Sequence, residues 1–434
     1  MSISAMPAAA TADHRPPRLA DGTVLLGPYL GSGYRQTPHL VRRADGRMLE
    51  VSALLYEVAA NLGGTRPLPE VASRVSLSIG RTVSGEDVEY LVRHKLVPLG
   101  LVADPATPAA TDTASPPPPP QPAPPVLGLA WRAGVVPRRV VNIVARRLRP
   151  AFRPPVLVAG LVAAAVVDAG LLRAHAVGPA GRAVLQQPGA IALVVTLTLA
   201  SGLFHELGHA TASRYGGAEP GAIGIGIYLL WPVFYNDLSD SYRLSRAGRL
   251  RADLGGVYFN VLFSAALGLA YAATGAPALV VAVVAQHVLV LQQFLPFVRL
   301  DGYYVATDVL GVPDLFGRIK PILASLIPGR PTPASVRQLK VRVRVAVTVW
   351  VVVTVPVLVA CLAAFVVRAP AFVAPSAEAM FRQAEALNDA IMGGAPAAAV
   401  VALVGLLARG VPFVGVGIVL ARLARRVAGT GGAR

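Results

Sequence analysis

Residues 189–212 read GAIALVVTLTLASGLFHELGHATA, a long apolar run that ends in two histidines four residues apart. About 20 apolar residues are enough for a helix to cross a bilayer. On a helix, positions i and i+4 share one face, so His205 and His209 can bind one metal ion beside Glu206, a potential general base. The alternative is a histidine pair packed inside a helix bundle. Ionisable groups at membrane depth are costly, so the stretch predicts a hydrolytic zinc site within a membrane helix.

The composition of the whole chain favours a polytopic membrane protein. Its 434 residues are 54% hydrophobic and 15% charged, and the mean hydropathy is +0.57. The 40 Lys and Arg residues exceed the 23 Asp and Glu residues, which gives a formal net charge of +17. In this setting the excess indicates cytoplasmic loops that face anionic lipid rather than a nucleic-acid partner. The single cysteine, Cys361, rules out an intramolecular disulfide and a multi-thiolate metal site.

Six candidate spans follow from the length criterion. They lie at 155–172, 189–212, 254–274, 277–298, 345–367 and 396–420. With six spans, the arginine-rich segments 132–153, 213–253 and 299–344 and the basic tail all fall on one side of the membrane. That side is the cytoplasm by the positive-inside rule, so we expect both termini to be cytoplasmic. The predicted fold is an all-α polytopic membrane domain over residues 131–434.

The first 130 residues have a different composition. We expect disorder over residues 1–20 and a small α+β, winged-helix-like domain over residues 21–104. In this domain a β-hairpin around Ala44-Asp45-Gly46 precedes three short helices, the third of them capped by Ser84. Residues 105–130 include SPPPPPQPAPP, which predicts an extended linker.

A third zinc ligand is needed, because catalytic zinc sites usually have three protein ligands and a water. Asp301 ends the fourth predicted span in FLPFVRLDGYY, on the cytoplasmic side, and is a candidate; an aspartate in an Asp-Gly turn is the alternative. His287 lies 14 residues earlier, about 20 Å along the helix, so we expect a buried helix–helix contact there. The glycine-rich segment 217–242 predicts either a re-entrant hairpin or strand pair lining the site, or an ordinary interfacial loop.

The motifs HELGH (205–209) and LDGYY (300–304) together resemble the site-2 protease family of intramembrane zinc metalloproteases. The resemblance covers roughly residues 189–310. It implies that His205, His209 and Asp301 bind one Zn²⁺ ion and that Glu206 is the general base.

Two further positions are interpreted through the same resemblance. Asn260, in GGVYFN (255–260), is similar to the family's glycine-then-asparagine element, which implies a catalytic amide that binds substrate or the developing oxyanion. A polar contact between helices is the alternative. The family often has Asn-Pro before its LDG segment, whereas this chain has Leu295-Pro296, so one substrate-positioning amide is missing.

The N-terminal pattern GSGYRQTPHLVRRADGRMLEVSALLYEVAANLGG (31–64) resembles the PqqD-like domains found before the membrane part of some actinobacterial peptide zinc metalloproteases. PqqD-like domains bind leader peptides of ribosomally made, modified peptides. The resemblance implies that residues 21–104 recruit a peptide substrate; a regulatory or merely folded domain is the alternative.

The predicted function is that of an intramembrane zinc metalloendopeptidase in the bacterial cytoplasmic membrane. Its substrate would be a transmembrane segment or a membrane-associated precursor peptide. The alternative is a catalytically silent membrane protein that captures peptides or serves in export or immunity. A zinc transporter would need ligands along a path, and the 7 His and 1 Cys residues do not supply them. We expect no nucleic-acid partner, and the sequence indicates no oligomeric state.

Overall fold

The computed structural model describes residues 16–43, 48–102, 132–228 and 231–407, together with residues 410 and 413. Most of the predicted disordered N-terminus, the predicted linker 105–130 and most of the sixth predicted span beyond 407 lie outside the described residues. The chain divides into two compact units. The first consists of Met1–Ser32 and Gln36–Pro122, and the second of Gly33–Arg35 and Ala123–Arg434.

The first unit combines a three-stranded antiparallel sheet with three helices. The elements are β1 (Val24–Pro28), β2 (His39–Arg42), β3 (Met48–Val51), α1 (Ala53–Asn61), α2 (Leu68–Ile79) and α3 (Gly85–Leu91). β2 and β3 pair antiparallel on either side of residues 44–47, where a hairpin is predicted. Ser84 caps α3 as predicted: Ser84 Oγ accepts from Asp87 N at 3.1 Å, and Asp87 Oδ2 accepts from Ser84 N at 3.0 Å.

The second unit is mostly helical and contains one small sheet. Its elements are β4 (Arg132–Val136), α4 (Arg138–Leu148), α5 (Pro154–Arg173), α6 (Val177–Leu185), α7 (Pro188–Tyr215), β5 (Ile223–Tyr228), β6 (Trp231–Asn236), α8 (Arg246–Asp253), α9 (Gly255–Thr274), α10 (Pro277–Gln293), α11 (Asp301–Leu310), α12 (Ile319–Ser325), α13 (Ala334–Arg337), α14 (Val341–Met392) and α15 (Pro396–Leu407).

Four helices of the described chain are long and apolar enough to cross a membrane. They are Pro154–Arg173, Gly189–Tyr215, Gly255–Thr274 and the Val341–Ala364 part of α14. These four correspond to the first, second, third and fifth predicted spans. α10 and α15 are apolar but shorter, so the predicted count of six spans is not reached by length.

The fourth predicted span, 277–298, is wrong at its C-terminal end. α10 stops at Gln293, and the backbone is non-helical until Asp301 begins α11. Pro296 explains the break, because proline lacks an N–H and disfavours the helical conformation of the residue before it. Asp301 is therefore the first residue of a separate helix rather than the end of a span.

The connection after the fifth predicted span, 345–367, is helical. α14 runs without interruption for 52 residues, from the candidate span Val341–Ala364 through the acidic stretch that precedes the sixth predicted span. That stretch, AEAMFRQAEALNDAIM, is rich in alanine, glutamate and other strong helix formers. An ion pair between Glu378 and Arg382, one turn apart, supports the helix there.

The strand pair predicted within 217–242 is present as β5 and β6. β4, which was expected only as a basic juxtamembrane stretch, pairs with β5 on its other side, so the order is β4-β5-β6. Among the described strands, β6 is thus at the edge of the sheet. Asn236, at its end, donates from Nδ2 to the carbonyl of Glu206 at 3.3 Å, which places this edge against the HELGH turn of α7.

The tripeptide Gly33–Arg35 belongs to the second unit. Gly33 N donates to Gly311 O at 2.8 Å, and Lys340 N donates to Gly33 O at 2.9 Å. Tyr34 is 4% exposed and lies in an apolar cluster that also contains Tyr303 and Trp350. Tyr303 is two residues beyond Asp301, so this cluster packs on the helix that begins with Asp301.

Candidate metal centre

The HELGH motif occupies the last third of α7, and its histidines face the interior. His205 and His209 are each 5% exposed, and their Nε2 atoms lie 3.0 Å apart. The i, i+4 spacing places both rings on one side of the helix, as predicted. Their side chains therefore present two ring nitrogens to one point.

Asp301 approaches the same point from the N-terminus of α11. Its Oδ2 lies 3.2 Å from His205 Nε2, and its Oδ1 lies 3.3 Å from His209 Nε2. Among the described residues, these three form a group whose ligand atoms all lie within 4.8 Å of one another. The structure thus brings together the three residues that the sequence predicts as zinc ligands.

The distances between the ligand atoms fit a metal ion. Tetrahedral zinc at its usual bond lengths holds neighbouring ligand atoms about 3.3 Å apart. Here the two ring nitrogens lie 3.0 Å apart, and each lies 3.2 or 3.3 Å from a different oxygen of the Asp301 carboxylate. Three protein ligands leave a fourth position for water or substrate, which is the pattern of catalytic rather than structural zinc.

The two histidine rings have room only because α9 has no side chain where it passes them. A Cβ on Gly256 would lie 2.5 Å from His209 Nε2 and 2.6 Å from His205 Nε2. One turn away, a Cβ on Gly208 would lie 2.3 Å from the carbonyl oxygen of Gly255. These glycines let α7 and α9 approach closely. Gly256 thereby leaves a space beside the ligand nitrogens that any other residue would fill.

A backbone carbonyl orients His209. Its Nδ1 lies 2.8 Å from Ala252 O, at the C-terminal end of α8. When Nδ1 donates its proton to this carbonyl, the Nε2 lone pair points at the ligand cluster, which is the arrangement usual for metal-binding histidines.

The surroundings of Asp301 favour the ionised form of its carboxyl group, which is the form that binds a cation. Burial opposes its ionisation, but the charges and hydrogen bonds of His209 and His205 outweigh burial and hold the pKa of Asp301 well below its usual range. Asp301 also lies in the first turn of α11, where the helix dipole favours a negative charge.

Asn260 lies one turn beyond Gly256 on α9 and is 4% exposed. Its Oδ1 lies 3.3 Å from Ser201 Oγ, and Gln286 Oε1 on α10 is also within hydrogen-bond distance of this hydroxyl, whose one proton can be donated to either oxygen. Ser201 is one turn before His205. Sequence reasoning did not select Ser201 or Gln286, although polar residues within apolar helices are a signal that could have found them.

Two other predicted positions lie elsewhere. His287 pairs with Asp168 of α5, with His287 Nε2 and Asp168 Oδ2 3.1 Å apart, which confirms a contact between helices, but its side chain is 51% exposed, so the prediction that the contact is buried is wrong. Leu295 lies in the non-helical stretch after α10 and is 44% exposed. Neither residue belongs to the ligand group that the described residues form.

Comparison with known proteins gives a distant relationship. No protein-family model matches the chain, and no solved structure matches it. A protein of Bacillus subtilis (strain 168) named "Putative peptide zinc metalloprotease protein YydH" is 27% identical over 130 residues, which are 30% of this chain and 51% of that protein. The match spans about half the length of that relative. It supports a zinc metalloprotease relationship at that coarse level.

Proposed function

We propose that the protein is an intramembrane zinc endopeptidase that hydrolyses a peptide bond in a membrane-embedded or membrane-associated protein or precursor peptide. One observation carries the proposal: two imidazole nitrogens and a carboxylate converge at 3.0 to 3.3 Å, next to Glu206, on a helix apolar enough to cross a membrane. The distant relationship to a protein named as a peptide zinc metalloprotease supports the same class of reaction.

His205, His209 and Asp301 would hold the zinc ion. When bound, zinc lowers the pKa of a coordinated water and polarises the scissile carbonyl. Glu206 takes the proton from the attacking water and delivers it to the leaving amine. Asn260, whose Oδ1 is engaged by Ser201, has its Nδ2 donor left to bind the substrate carbonyl or the developing oxyanion.

The edge strand β6 supports a binding mode for an extended substrate. β6 pairs with β5 on one side, and its end contacts the backbone of Glu206 through Asn236. An extended peptide that pairs with the other side of β6 would expose its backbone amides to the ligand cluster. In this proposal the sheet, rather than side-chain pockets, presents the scissile bond.

The proposal also assigns a side of the membrane to the first unit and to the entry of water. In this proposal both termini lie in the cytoplasm of a bacterial cell, which the distribution of arginine and lysine around six spans supports. The first unit, which resembles PqqD-like domains, would recruit a peptide substrate on that side. Water would reach the metal from the cytoplasm, because the bilayer excludes it elsewhere.

Glu206→Gln tests the proposal. The amide cannot accept the water's proton, but it removes no metal ligand, so we expect one zinc per chain to persist while cleavage in the native membrane stops. Glu219→Gln is a matched control, since Glu219 is an exposed acid whose carboxylate pairs with Arg138 and Arg214. Peptides that accumulate in wild-type membranes but not in Glu206→Gln membranes would identify the substrate.

Two outcomes would reject the proposal. Continued cleavage by Glu206→Gln would show that Glu206 is not the base. Zinc binding by the wild type with no difference between the two peptide sets would favour the rival function, a catalytically silent protein that captures peptides.

A further inference from the structure

Helix α8 links two parts of the metal centre. At its C-terminal end, Ala252 O accepts from His209 Nδ1 at 2.8 Å. One turn earlier, Arg249 Nε donates to Asp308 Oδ1 at 2.6 Å. Asp308 lies on α11, the helix that begins with Asp301. The two aspartates are seven residues apart, about two helical turns, so they lie on the same face of α11.

The connection between α8 and α11 is buried and made of charged groups. Arg249 is 1% exposed and Asp308 is 5% exposed. Arg249 Nη1 also donates to Leu244 O at 2.9 Å, and Arg246 Nε donates to Asp308 O at 2.9 Å. The guanidinium groups therefore bind both the side chain and the backbone of α11.

Stability alone is a weak reason for a buried ion pair. The cost of removing two charges from water often exceeds their attraction, and well-packed apolar residues of similar size are often as stable or more so. What a planar guanidinium supplies is geometry, because its donors are fixed in direction. Here the hydrogen bonds of Arg249 fix the position of α11, which carries Asp301, relative to α8, which orients His209.

We propose that Arg249 is a positioning residue of the metal centre. Through Asp308 it holds α11 at the separation from α7 at which the Asp301 carboxylate meets both imidazoles. The inference rests on the proposed function, in that it treats His205, His209 and Asp301 as a zinc site. It adds that the affinity and geometry of this site depend on an ion pair two helical turns away along α11.

Zinc binding by the purified full-length protein tests the inference without any substrate. The measurements are zinc affinity by competition with a chromophoric chelator, the absorption spectrum of the Co²⁺-loaded protein, and the unfolding temperature of the metal-free protein. The variants are Arg249→Lys and the double variant Arg249→Leu/Asp308→Leu. Arg243→Lys is the matched control, because Arg243 pairs with Asp240 at 3.0 Å on the surface and its side chain is 52% exposed.

Arg249→Lys keeps the charge but cannot reproduce the guanidinium contacts to Asp308 and Leu244. We expect it to weaken zinc binding about 10-fold, the lower end of the effect of losing a group that is hydrogen-bonded directly to a metal ligand, and to change the Co²⁺ spectrum. The double variant replaces the pair with apolar groups. Its metal-free unfolding temperature should stay near that of the wild type, while its zinc affinity falls by a similar factor. Arg243→Lys should change neither property.

Wild-type zinc affinity and an unchanged Co²⁺ spectrum in Arg249→Lys would overturn the inference and leave the proposed function intact. So would a loss of affinity that only follows a loss of stability in the metal-free variants, since that would assign the pair a purely structural role. If the wild type binds no zinc, the proposed function fails first and the inference with it.

Discussion

Two histidine–aspartate contacts in this protein have nearly the same length and different surroundings. His205 Nε2 lies 3.2 Å from Asp301, and His287 Nε2 lies 3.1 Å from Asp168. The first pair is buried, with side chains 6% and 12% exposed, whereas the second has side chains 51% and 35% exposed. The first pair has His209 as a third member. Contact distance therefore does not distinguish a metal centre from an ordinary ion pair.

What distinguishes the two pairs is the space around the nitrogens and the number of elements that converge on them. α7, α9 and α11 meet at the first pair, and Gly256 leaves room for an ion beside both imidazoles. The second pair joins only α5 and α10, and His287 Nδ1 lies 2.8 Å from Val283 O of its own helix. A third ligand and an open position make the first site suitable for catalysis.

The largest effect should come from removing Asp301, whose carboxylate is shared by two imidazoles, whereas Asp168 contacts one. Asp301→Ala leaves two histidines, so we expect zinc content to fall towards zero after dialysis and cleavage to fall more than about 100-fold, beyond the usual cost of losing an outer-shell partner. Metal analysis of the purified protein measures the first, and peptide release the second. His287→Ala is the control and should retain full zinc content. Equal losses in both variants would show that the two pairs are not different in kind.

Filling the space beside the imidazoles should have the next largest effect. In Gly256→Ala the new methyl group would meet both Nε2 atoms at 2.5 to 2.6 Å, so the rings must move out of the ligand geometry. We expect a loss of zinc binding, with a cost in stability of about 1–3 kcal/mol from overpacking. Gly170→Ala, in α5, is the control, because a Cβ there meets nothing within 4 Å. Normal zinc affinity in Gly256→Ala would contradict the proposed position of the ion.

Substitution of Asn260 should affect catalysis and leave metal binding unchanged. Asn260→Ala should retain zinc but lower kcat about 100-fold, the usual cost of losing one oxyanion donor. Ser201→Ala removes the hydrogen bond to Asn260 Oδ1 but keeps the amide, so its effect on kcat should be smaller. Equal, small effects of the two variants would reduce Asn260 to a contact between helices, the alternative that the sequence left open.

The smallest effect is expected at the exposed pair. Asp168→Asn should lower the stability only slightly, because the amide oxygen can still accept from His287 Nε2 and the contact of His287 Nδ1 with Val283 O is kept. Zinc content and cleavage should match the wild type. Thermal unfolding measures the stability, metal analysis the zinc content and peptide release the cleavage. A loss of zinc in this variant would mean that α5 and α10 take part in the centre after all.

That His205 and His209 point to one place was predictable from the sequence, because their spacing is local. Asp301 was selected as an acid beside an apolar run and through the family resemblance of LDGYY, and the structure brings it to the same place. The ends of α10 and α14 were harder to place. Hydropathy does not register that Pro296 stops one helix, or that alanine and glutamate continue another past residue 364.

Contacts between distant segments were not predictable by the same reasoning. Nothing in the local sequence distinguishes Arg249, which is buried against Asp308, from the other arginines of the loop 213–253. The basic segment before α4 likewise gives no sign that it pairs with β5, about 90 residues later. Gly256 is one of 42 glycines. Only the packing of α9 on α7 shows that the absence of a Cβ at this position leaves space beside the two imidazoles.

Gly33–Arg35 belongs to the second unit although it lies within the sequence of the first, so the second unit cannot be obtained intact by cutting the chain at one place. A truncated protein that begins after the proline-rich segment would lack Tyr34 and leave an aromatic-sized hole in the cluster around Tyr303. Loss of a large buried aromatic side chain costs about 3–5 kcal/mol. Exchange of N-terminal domains between such proteins would have to preserve this tripeptide. In evolutionary terms, a deletion that removed the whole N-terminal region would also remove a buried part of the second unit.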